Sequence, residues 1–336
     1  MIGNIPAWVI LIVLLIGAFL ADLSLGSVRI PPGEILKILT FQESSEVWTD
    51  IVWSFRMTKA LTCVLAGSAL SLGGLQMQTL FRNPLAGPDV LGLSSGASLA
   101  VSLIFMGQAT GLQLMAIQTP WAIAIAASSG CAAVFLIMIA VARRIQDNVS
   151  LLIVGLMVGA TTSSIVSVLQ YLSTAEEMQV YVLWTFGSLG GLNWTEIQVL
   201  SLVLLIGSGI AMLNIKSLNA WLLGDRYAQS LGVNVKRTRV LAILSASILT
   251  GGVTGFCGPI AFVGLAVPHL VKLLLPTSNH KTLIPAVIAG GAVLLLLCDI
   301  LAQLPGEAIL PINAITAMIG APVVIWVILR NRVVRS

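Results

Sequence analysis

The sequence predicts an all-α protein that crosses a membrane many times. Of its 336 residues, 57% are hydrophobic and only 9% are charged, whereas a soluble chain carries about a quarter charged residues. Apolar runs of about 20 residues recur along the chain, and this is the length that crosses a bilayer as a helix. Because the lipid interior offers no hydrogen-bond partner to the backbone, these runs are predicted to be helices.

Ten apolar runs are candidate transmembrane helices, and together they form a single transmembrane domain of residues 1–336. They cover residues 7–26, 57–80, 91–107, 116–141, 150–172, 195–213, 239–257, 259–275, 283–304 and 311–330. The first run is predicted to be a retained span and not a signal peptide, because it lacks a basic N-terminal region and a clear cleavage site.

Basic residues indicate the orientation of the ten spans. If the N-terminus lies inside, only four of the 17 lysines and arginines fall outside, namely Arg29, Lys37, Arg56 and Lys59. This distribution follows the positive-inside rule and predicts that both termini lie on the cytoplasmic side. The topology also accounts for the pI of about 9.0. Membrane lipid, and not nucleic acid, is therefore the predicted surrounding of the chain.

One long polar passage, residues 214–239, lies deep inside the apolar sequence; we call it the polar segment. Its middle, Ala220–Leu231, is predicted to be one short helix that Gly232 ends. Leucine and tyrosine recur on one face of this helix, at Leu222, Leu223, Tyr227 and Leu231. A polar helix between two spans is a surface on which a second protein can act.

Two short motifs suggest chemistry that the rest of the chain does not support. Residues 87–94 are one residue short of a nucleotide-binding P-loop, and Leu93 stands where its lysine would be. Any ATP is therefore hydrolysed by another protein, and no cofactor is predicted for this chain. Residues 92–96 match the G-x-S-x-G motif of serine hydrolases around Ser94, which needs a preceding strand and a nearby histidine. Only His269 and His280 occur, and an all-helical chain supplies no strand.

Buried polar residues offer few candidates for a metal or proton site. The four cysteines lie in apolar runs and are predicted to be small core residues, and no metal-ligand spacing occurs. Asp299 lies in an apolar run, where a carboxylate costs about 2.5–3.5 kcal/mol. It therefore needs a partner or a place near the outer surface. A proton relay through Asp299 is a weaker alternative, because Asp22 is the only other acid available to it.

Two further patterns leave a structural and a functional interpretation open. Gly155 and Gly159 form a G-x-x-x-G motif that a Ser/Thr run follows, which suits either close helix packing or the lining of a pathway. Arg56 and Lys59 are three residues apart and share one helical face. They are either anchors at the membrane surface or a docking point for an acidic partner.

Four segments together resemble a known family. They are FRNPLAGPDVLGLSSGASLA, GDRYAQSLGVNVKRTR, GPIAFVGLAVPHLVK and LPINAITAMIGAPVVIWVILR. They resemble the FecCD-type permeases of iron-chelate, haem and vitamin B12 uptake, which are type II ATP-binding-cassette (ABC) importers. The resemblance implies a homodimer of ten-helix subunits in the inner membrane. Two separate ATPase subunits would bind it inside, and a substrate-binding protein would dock outside.

The resemblance also implies roles for residues that match the family's motifs. ATPase coupling falls on Gly224, Asp225, Arg226, Ala228, Gln229, Ser230, Leu231 and Gly232. The cytoplasmic gates match Asn83, Leu85, Asn148 and Val149, and the translocation path along the dimer axis matches Gly155, Gly159, Thr161 and Ser164. Binding-protein docking matches Arg56 and Lys59.

The chain departs from the family pattern at its outer rim. Lys59 stands where relatives often have arginine, and lysine cannot make the planar two-nitrogen contact. Gln303 replaces a third rim arginine of some relatives. Ile309 replaces an acidic residue, and Glu307 lies two positions away. A ferric siderophore is the favoured cargo, with haem and cobalamin open. The alternatives are a secondary transporter using Asp299 and an intramembrane serine protease using Ser94 and His269.

Overall fold

The structure is a computed structural model, and it describes residues 5–26, 28, 30–107, 119–145, 147–304 and 309–333. Every regular element within these ranges is a helix, which confirms the all-α prediction. Glu307, Arg29 and the predicted start of the fourth span at residues 116–118 lie outside the described residues.

The described helices follow one another with short connections. They are α1 (Ile5–Ser24), α2 (Pro32–Leu39), α3 (Glu46–Ile51), α4 (Met57–Phe81), α5 (Leu93–Met106), α6 (Pro120–Arg144), α7 (Asn148–Leu172), α8 (Ala175–Thr185), α9 (Trp194–Leu213), α10 (Ile215–Trp221), α11 (Asp225–Ser230), α12 (Val235–Cys257), α13 (Val263–Leu274), α14 (His280–Gln303) and α15 (Ile312–Val333). A π-helical turn, Val52–Arg56, joins α3 to α4, and a 3-10 turn, Pro88–Leu91, precedes α5.

Seven helical stretches in the described part of the chain are long and apolar enough to cross a membrane. Three shorter apolar helices, Leu93–Met106, Val263–Leu274 and Ile312–Trp326, coincide with the third, eighth and tenth predicted spans. The chain is therefore a multi-pass membrane protein, while ten crossings remain a prediction. The second span differs from its predicted start, because a continuous helical stretch already begins at Glu46.

Helix α4 is the centre of the bundle. It packs against α9, α12, α13 and α14, and most of its residues are buried. Glycine permits the closest of these approaches. A Cβ atom at Gly74 would overlap the backbone of Gly264, and one at Gly67 would overlap the backbone of Gly291. Small residues at such crossings let membrane helices pack backbone against backbone.

Helices α1, α7 and α9 are far less buried than α4. Only 17% of the most apolar 18-residue window of α7 is buried inside the chain, against 83% for the stretch that contains α4. Two buried hydrophobic clusters divide the interior. One cluster contains buried residues from the first half of α4 and from α14. The other contains buried residues from the end of α4 and from α5, α6 and α7.

Candidate functional site

Functional residues predicted from the sequence lie at both ends of α4. The polar segment lies beside the C-terminal end of α4, because Asp225 pairs with Arg82 just after that helix. Arg56 and Lys59 lie at the N-terminal end. The two groups are separated by the length of α4, about 37 Å for a helix of 25 residues, so they cannot form a single site.

The polar segment forms two short helices, so the prediction of one helix over Ala220–Leu231 is wrong. Helix α10 ends at Trp221 and α11 begins at Asp225. Gly224 separates them with a φ of +117°, a backbone conformation that only glycine adopts readily. The predicted stop at Gly232 is confirmed, since α11 ends at Ser230 and Gly232 has a φ of +80°.

Trp221 and Asp225 anchor the polar segment to the bundle. The Trp221 side chain is fully buried, and its indole Nε1 donates a hydrogen bond to Asp225 Oδ1 at 2.9 Å. The same oxygen accepts a hydrogen bond from the guanidinium of Arg82. The carboxylate therefore joins the start of α11 both to α10 and to the end of α4.

The residues matched to ATPase coupling divide into buried and exposed positions. Ala228 is fully buried, and Gly224 and Asp225 are half-buried. The exposed ones are Arg226, Gln229, Ser230, Leu231 and Gly232. The four apolar residues predicted to share one helix face, Leu222, Leu223, Tyr227 and Leu231, are also exposed, although they lie on and around the two short helices and not on a single helix. Exposed apolar residues that lie together commonly mark a surface for another protein.

The four predicted gate residues lie in two connections beside the polar segment. Asn83 Oδ1 accepts a hydrogen bond from the Leu85 amide at 2.9 Å and shapes the loop after α4. Asn148 begins α7, and its side-chain amide donates to the Leu80 carbonyl at 2.8 Å. Leu85 and Val149 are exposed. The contact between Asn148 and Leu80 joins the start of α7 to the last turn of α4, and Asn83 and Leu85 follow that turn in the chain.

Arg239 contacts one of the predicted gates, and no motif in the sequence indicates this contact. Its guanidinium donates to Asn148 Oδ1 at 2.9 Å and to the Ile145 carbonyl at 3.0 Å. Next to this contact, Asp147 caps α7. The Ser150 amide and hydroxyl that donate to Asp147 hold the pKa of its carboxyl below the ordinary value, with a smaller contribution from Arg239.

The four residues matched to the translocation path all lie on α7, where they form one packed pair and one exposed pair. Gly155 and Gly159 lie against the backbone of Gly92 at the start of α5, which favours the helix-packing interpretation for the two glycines. Thr161 and Ser164 lie on the exposed face of α7, and their hydroxyls donate to carbonyls one turn earlier. Polar groups on an exposed face suit a helix that lines a pathway or meets a second subunit.

Arg56 is buried at the opposite end of the bundle and is only 5% exposed. Its guanidinium donates to the carbonyls of Leu23 at 2.7 Å and Ser24 at 3.0 Å, and to the carbonyl of Val28. These carbonyls lie at and beyond the end of α1. The arginine therefore satisfies backbone acceptors that follow this helix, and in this conformation it does not project from the surface.

Lys59 lies in a buried charged cluster with Asp22, Asp299 and Gln303. Its ammonium is 2.8 Å from Asp299 Oδ2 and 3.9 Å from Asp22 Oδ1. The Gln303 amide donates to the same two oxygens, at 2.6 Å and 3.2 Å. The expectation that Asp299 needs a partner is confirmed. Gln303 supplies hydrogen bonds to the cluster but no second positive charge.

Cys63 lies beside this cluster. One ligand atom each from Asp22, Cys63 and Asp299 lie within 4.8 Å of one another. Lys59 already supplies a cation to both carboxylates, so the arrangement is an internal ion pair among these described residues. A cavity of about 440 Å³ opens next to it and is lined by Arg56, Lys59, Gln303 and Ile309 among others.

The serine-hydrolase motif is not arranged for catalysis among the described residues. The Ser94 hydroxyl donates to Asp89, and Ser94 lies in the first turn of a helix that a 3-10 turn precedes. The His269 imidazole contacts the Pro84 carbonyl through Nε2 at 2.8 Å. In a serine triad the base that accepts the serine proton is an imidazole, whereas here the Ser94 hydroxyl donates to a carboxyl group and the imidazole of His269 contacts a backbone carbonyl.

Sequence reasoning missed the partners of three charged residues. From the sequence, Arg239 is only a basic residue of an inner loop, Lys59 is a membrane anchor or a docking residue, and Asp22 is the only other acid available to Asp299. A charged residue within one turn of a predicted span end was the available signal. Such a position requires either contact with the membrane surface or a partner inside the bundle.

Comparison with known proteins gives matches over nearly the whole chain. The model of the FecCD transport family matches residues 13–330. The hemin transport system permease protein HmuU of Yersinia pestis is 34% identical, over 97% of this chain and 96% of its own length. The vitamin B12 import system permease protein BtuC of Klebsiella pneumoniae is 33% identical, over 96% and 93%.

One solved structure has a similar fold. It is a transporter assigned to the metal-chelate type of ABC transporters and solved in an inward-facing conformation. It is 27% identical to this chain, with a TM-score of 0.81, and the match covers 93% of this chain and 95% of that chain.

Proposed function

The chain belongs to the FecCD transport family, and from this premise we propose that it is the permease subunit of an ATP-driven importer of metal chelates. The observation that carries the proposal is the polar segment. It presents an exposed apolar face and is joined through Asp225 and Arg82 to the end of the central helix. A separate ATPase that binds this face would move the segment against the gate connections.

The proposed partner at the polar segment is an ABC ATPase, two copies of which would serve one permease dimer. Leu223 is 64% exposed and Leu231 is 58% exposed, although both are large and apolar. A groove on the ATPase that covers α11 would bury these side chains. Rigid movement of the ATPase would then be transmitted to the polar segment. This chain would do no covalent chemistry, which accords with the lack of a P-loop lysine.

The proposed assembly is a homodimer whose translocation path follows the exposed face of α7. Thr161 and Ser164 lie on this face, and Ile153 and Met157 precede them on it. A second copy of the chain would cover part of the face and leave the hydroxyls along the axis. A mildly polar and charge-poor lining suits a bulky cargo whose metal is enclosed by its chelator. It does not suit tight ligation of a bare ion.

The proposed cargo class is a metal held in an organic chelator. The relatives named above are permeases for hemin and for vitamin B12, and a ferric siderophore belongs to the same chemical class. We place the protein in the inner membrane with both termini in the cytoplasm, because the lysines and arginines concentrate on the side of the polar segment.

The proposed docking site for a substrate-binding protein is the end of the bundle that holds Arg56 and Lys59. Both cations line the open cavity there, and both already contact acceptors within the chain. An acidic side chain of the binding protein would therefore compete with Asp299 for Lys59. Docking at this rim would rearrange the charged cluster as well as add a surface contact.

The proposal is tested by purifying the C-terminally tagged protein in mild detergent and identifying its partners by mass spectrometry. We expect a stoichiometric subunit with a P-loop. Leu223→Asp should lose that subunit, because the charge would be buried in the ATPase groove. Lys236→Asp places the same residue on an exposed position outside the apolar face and should retain the subunit. A folded Leu223→Asp protein that keeps the ATPase would overturn the proposed interface.

A further inference from the structure

Arg239 is the last residue of the polar segment, and it lies between the two short helices of that segment, α10 and α11, and the predicted gate at Asn148. It lies in the first turns of α12, and its side chain is buried, with the residue only 4% exposed. Its neighbour Arg237, two residues earlier on the same helix, is exposed. A guanidinium is costly to bury unless hydrogen bonds satisfy it, so the contacts of Arg239 indicate what the position requires.

The first set of contacts goes to the connection between α6 and α7. One guanidinium nitrogen of Arg239 donates to the Ile145 carbonyl just after α6, and the other donates to Asn148 Oδ1 at the start of α7. Two nitrogens of one rigid plane thus bind both sides of the connection. Charge-assisted hydrogen bonds of this kind are stronger than neutral ones.

The second contact goes to the polar segment. The guanidinium carbon of Arg239 lies 5.9 Å from the centre of the Trp221 ring, within the range of a cation–π interaction. Trp221 in turn donates to Asp225 at the start of α11. Arg239 therefore lies between the helix pair of the polar segment and the start of α7.

The end of α4 connects the same two groups a second time. Asn148 donates to the Leu80 carbonyl in the last turn of α4, and Arg82, two residues later, pairs with Asp225. The contacts thus form a closed ring through α10, α11, α12, the start of α7 and the end of α4. A displacement of one member must therefore either carry its neighbours with it or break one of these contacts.

We propose that Arg239 is a positioning residue that transmits movement of the polar segment to the gate at Asn148. The inference rests on the proposed function and adds to it the side chain through which the coupling passes. Arginine suits the role because its planar fork binds two acceptors while its flat face packs on an indole. Lysine offers one point charge and cannot do both.

The test compares Arg239→Gln and Arg239→Lys with Arg237→Gln in the complete complex with its ATPase and binding protein. All variants carry Val149→Cys as a reporter at the gate, so its own effect is common to them. Val149 is 62% exposed, whereas the four native cysteines are buried and give little background. We measure labelling by a hydrophilic maleimide with and without nucleotide, and cargo transported per ATP hydrolysed.

Arg237→Gln should behave as the parent protein. Arg239→Gln should lower cargo transported per ATP about tenfold, a usual size for coupling between two sites, and should remove the effect of nucleotide on labelling. Arg239→Lys should fall between them. A merely structural role would change the amount of assembled complex and leave the nucleotide response of the assembled fraction intact.

Two outcomes would overturn the inference. One is a nucleotide response of Arg239→Gln equal to that of the parent, and the other is an equal defect in Arg237→Gln. If Arg239→Gln does not assemble, the comparison of Arg239→Lys with Arg237→Gln decides the question in the same way. Failure of the proposed function is distinct, because the parent protein itself would then show no ATP-dependent uptake.

Discussion

At the scale of single residues, charges inside the bundle are held by specific partners. Lys59 is the cation of a cluster that contains two carboxyl groups, and its side chain is only 17% exposed. Asp22 is fully buried and comes from α1, while Asp299 comes from α14. The lysine thus holds together three helices that are distant in sequence, and its removal would leave both acids without their cation.

We expect Lys59→Met to lower the free energy of unfolding by about 3–5 kcal/mol, the cost of leaving a buried charge without its partner. Chemical unfolding in detergent measures the change. Adding Asp299→Asn to this variant should recover much of the loss, because one uncompensated carboxylate is then removed. Equal stability of Lys59→Met and the parent protein would contradict the ion pair.

Lys37→Met is the matched control for this prediction. Lys37 pairs with Glu34 at 2.6 Å, but its side chain is 49% exposed. Surface ion pairs between neighbouring turns contribute little, so this substitution should leave the unfolding transition unchanged. The contrast between the two lysines separates the effect of burial from the loss of a positive charge.

At the scale of elements, the closest helix crossings depend on glycine. Gly74→Ala adds a methyl group where the backbone of Gly264 lies, and overpacking of this kind costs about 1–3 kcal/mol. Gly209→Ala on α9 meets no atom within 4 Å and should leave stability unchanged or raise it. Thermal unfolding in detergent compares the two. A Gly74→Ala protein as stable as Gly209→Ala would contradict the packing of α4 on α13.

The sequence predicts the helices better than it predicts their contacts. Hydrophobic runs and turn residues place elements such as α6 and α14 within a few residues, because both signals are local. The break at Gly224 is not predicted, because an isolated glycine is tolerated inside a helical pattern, and its positive φ is known only from the structure. The pairing of Lys59 with Asp299 joins residues 240 positions apart, and no local pattern in one sequence reports it.

At the scale of the whole molecule, α7 leaves one face exposed within a single chain. Its exposed face carries Thr161, Ser164 and several large apolar residues, and a second subunit would cover part of it. We expect Ser164→Cys to cross-link two copies through a short bifunctional maleimide. Leu202→Cys, on an exposed position of α9, should not. Cross-linking at Leu202 and not at Ser164 would place the dimer interface elsewhere.

The proposed importer also accounts for the two ends of α4 being specialised differently. One end lies beside the polar segment and the residues matched to the gates, which contact the end of α4 through Arg82 and Asn148. The other holds two cations beside an open cavity. An ATPase at one end and a binding protein at the other would act on opposite ends of the same buried helix, which fits a permease that alternates its access between two sides.

Uptake of a labelled metal chelate into sealed vesicles distinguishes an ATP-driven importer from a secondary transporter. The vesicles would hold the permease with its ATPase, and the loaded binding protein would be added on the opposite side. An ATP-driven importer would show uptake that requires ATP and persists when ionophores collapse all ion gradients. Uptake by the permease alone, driven by an ion gradient and abolished by Asp299→Asn, would contradict it and identify a secondary transporter.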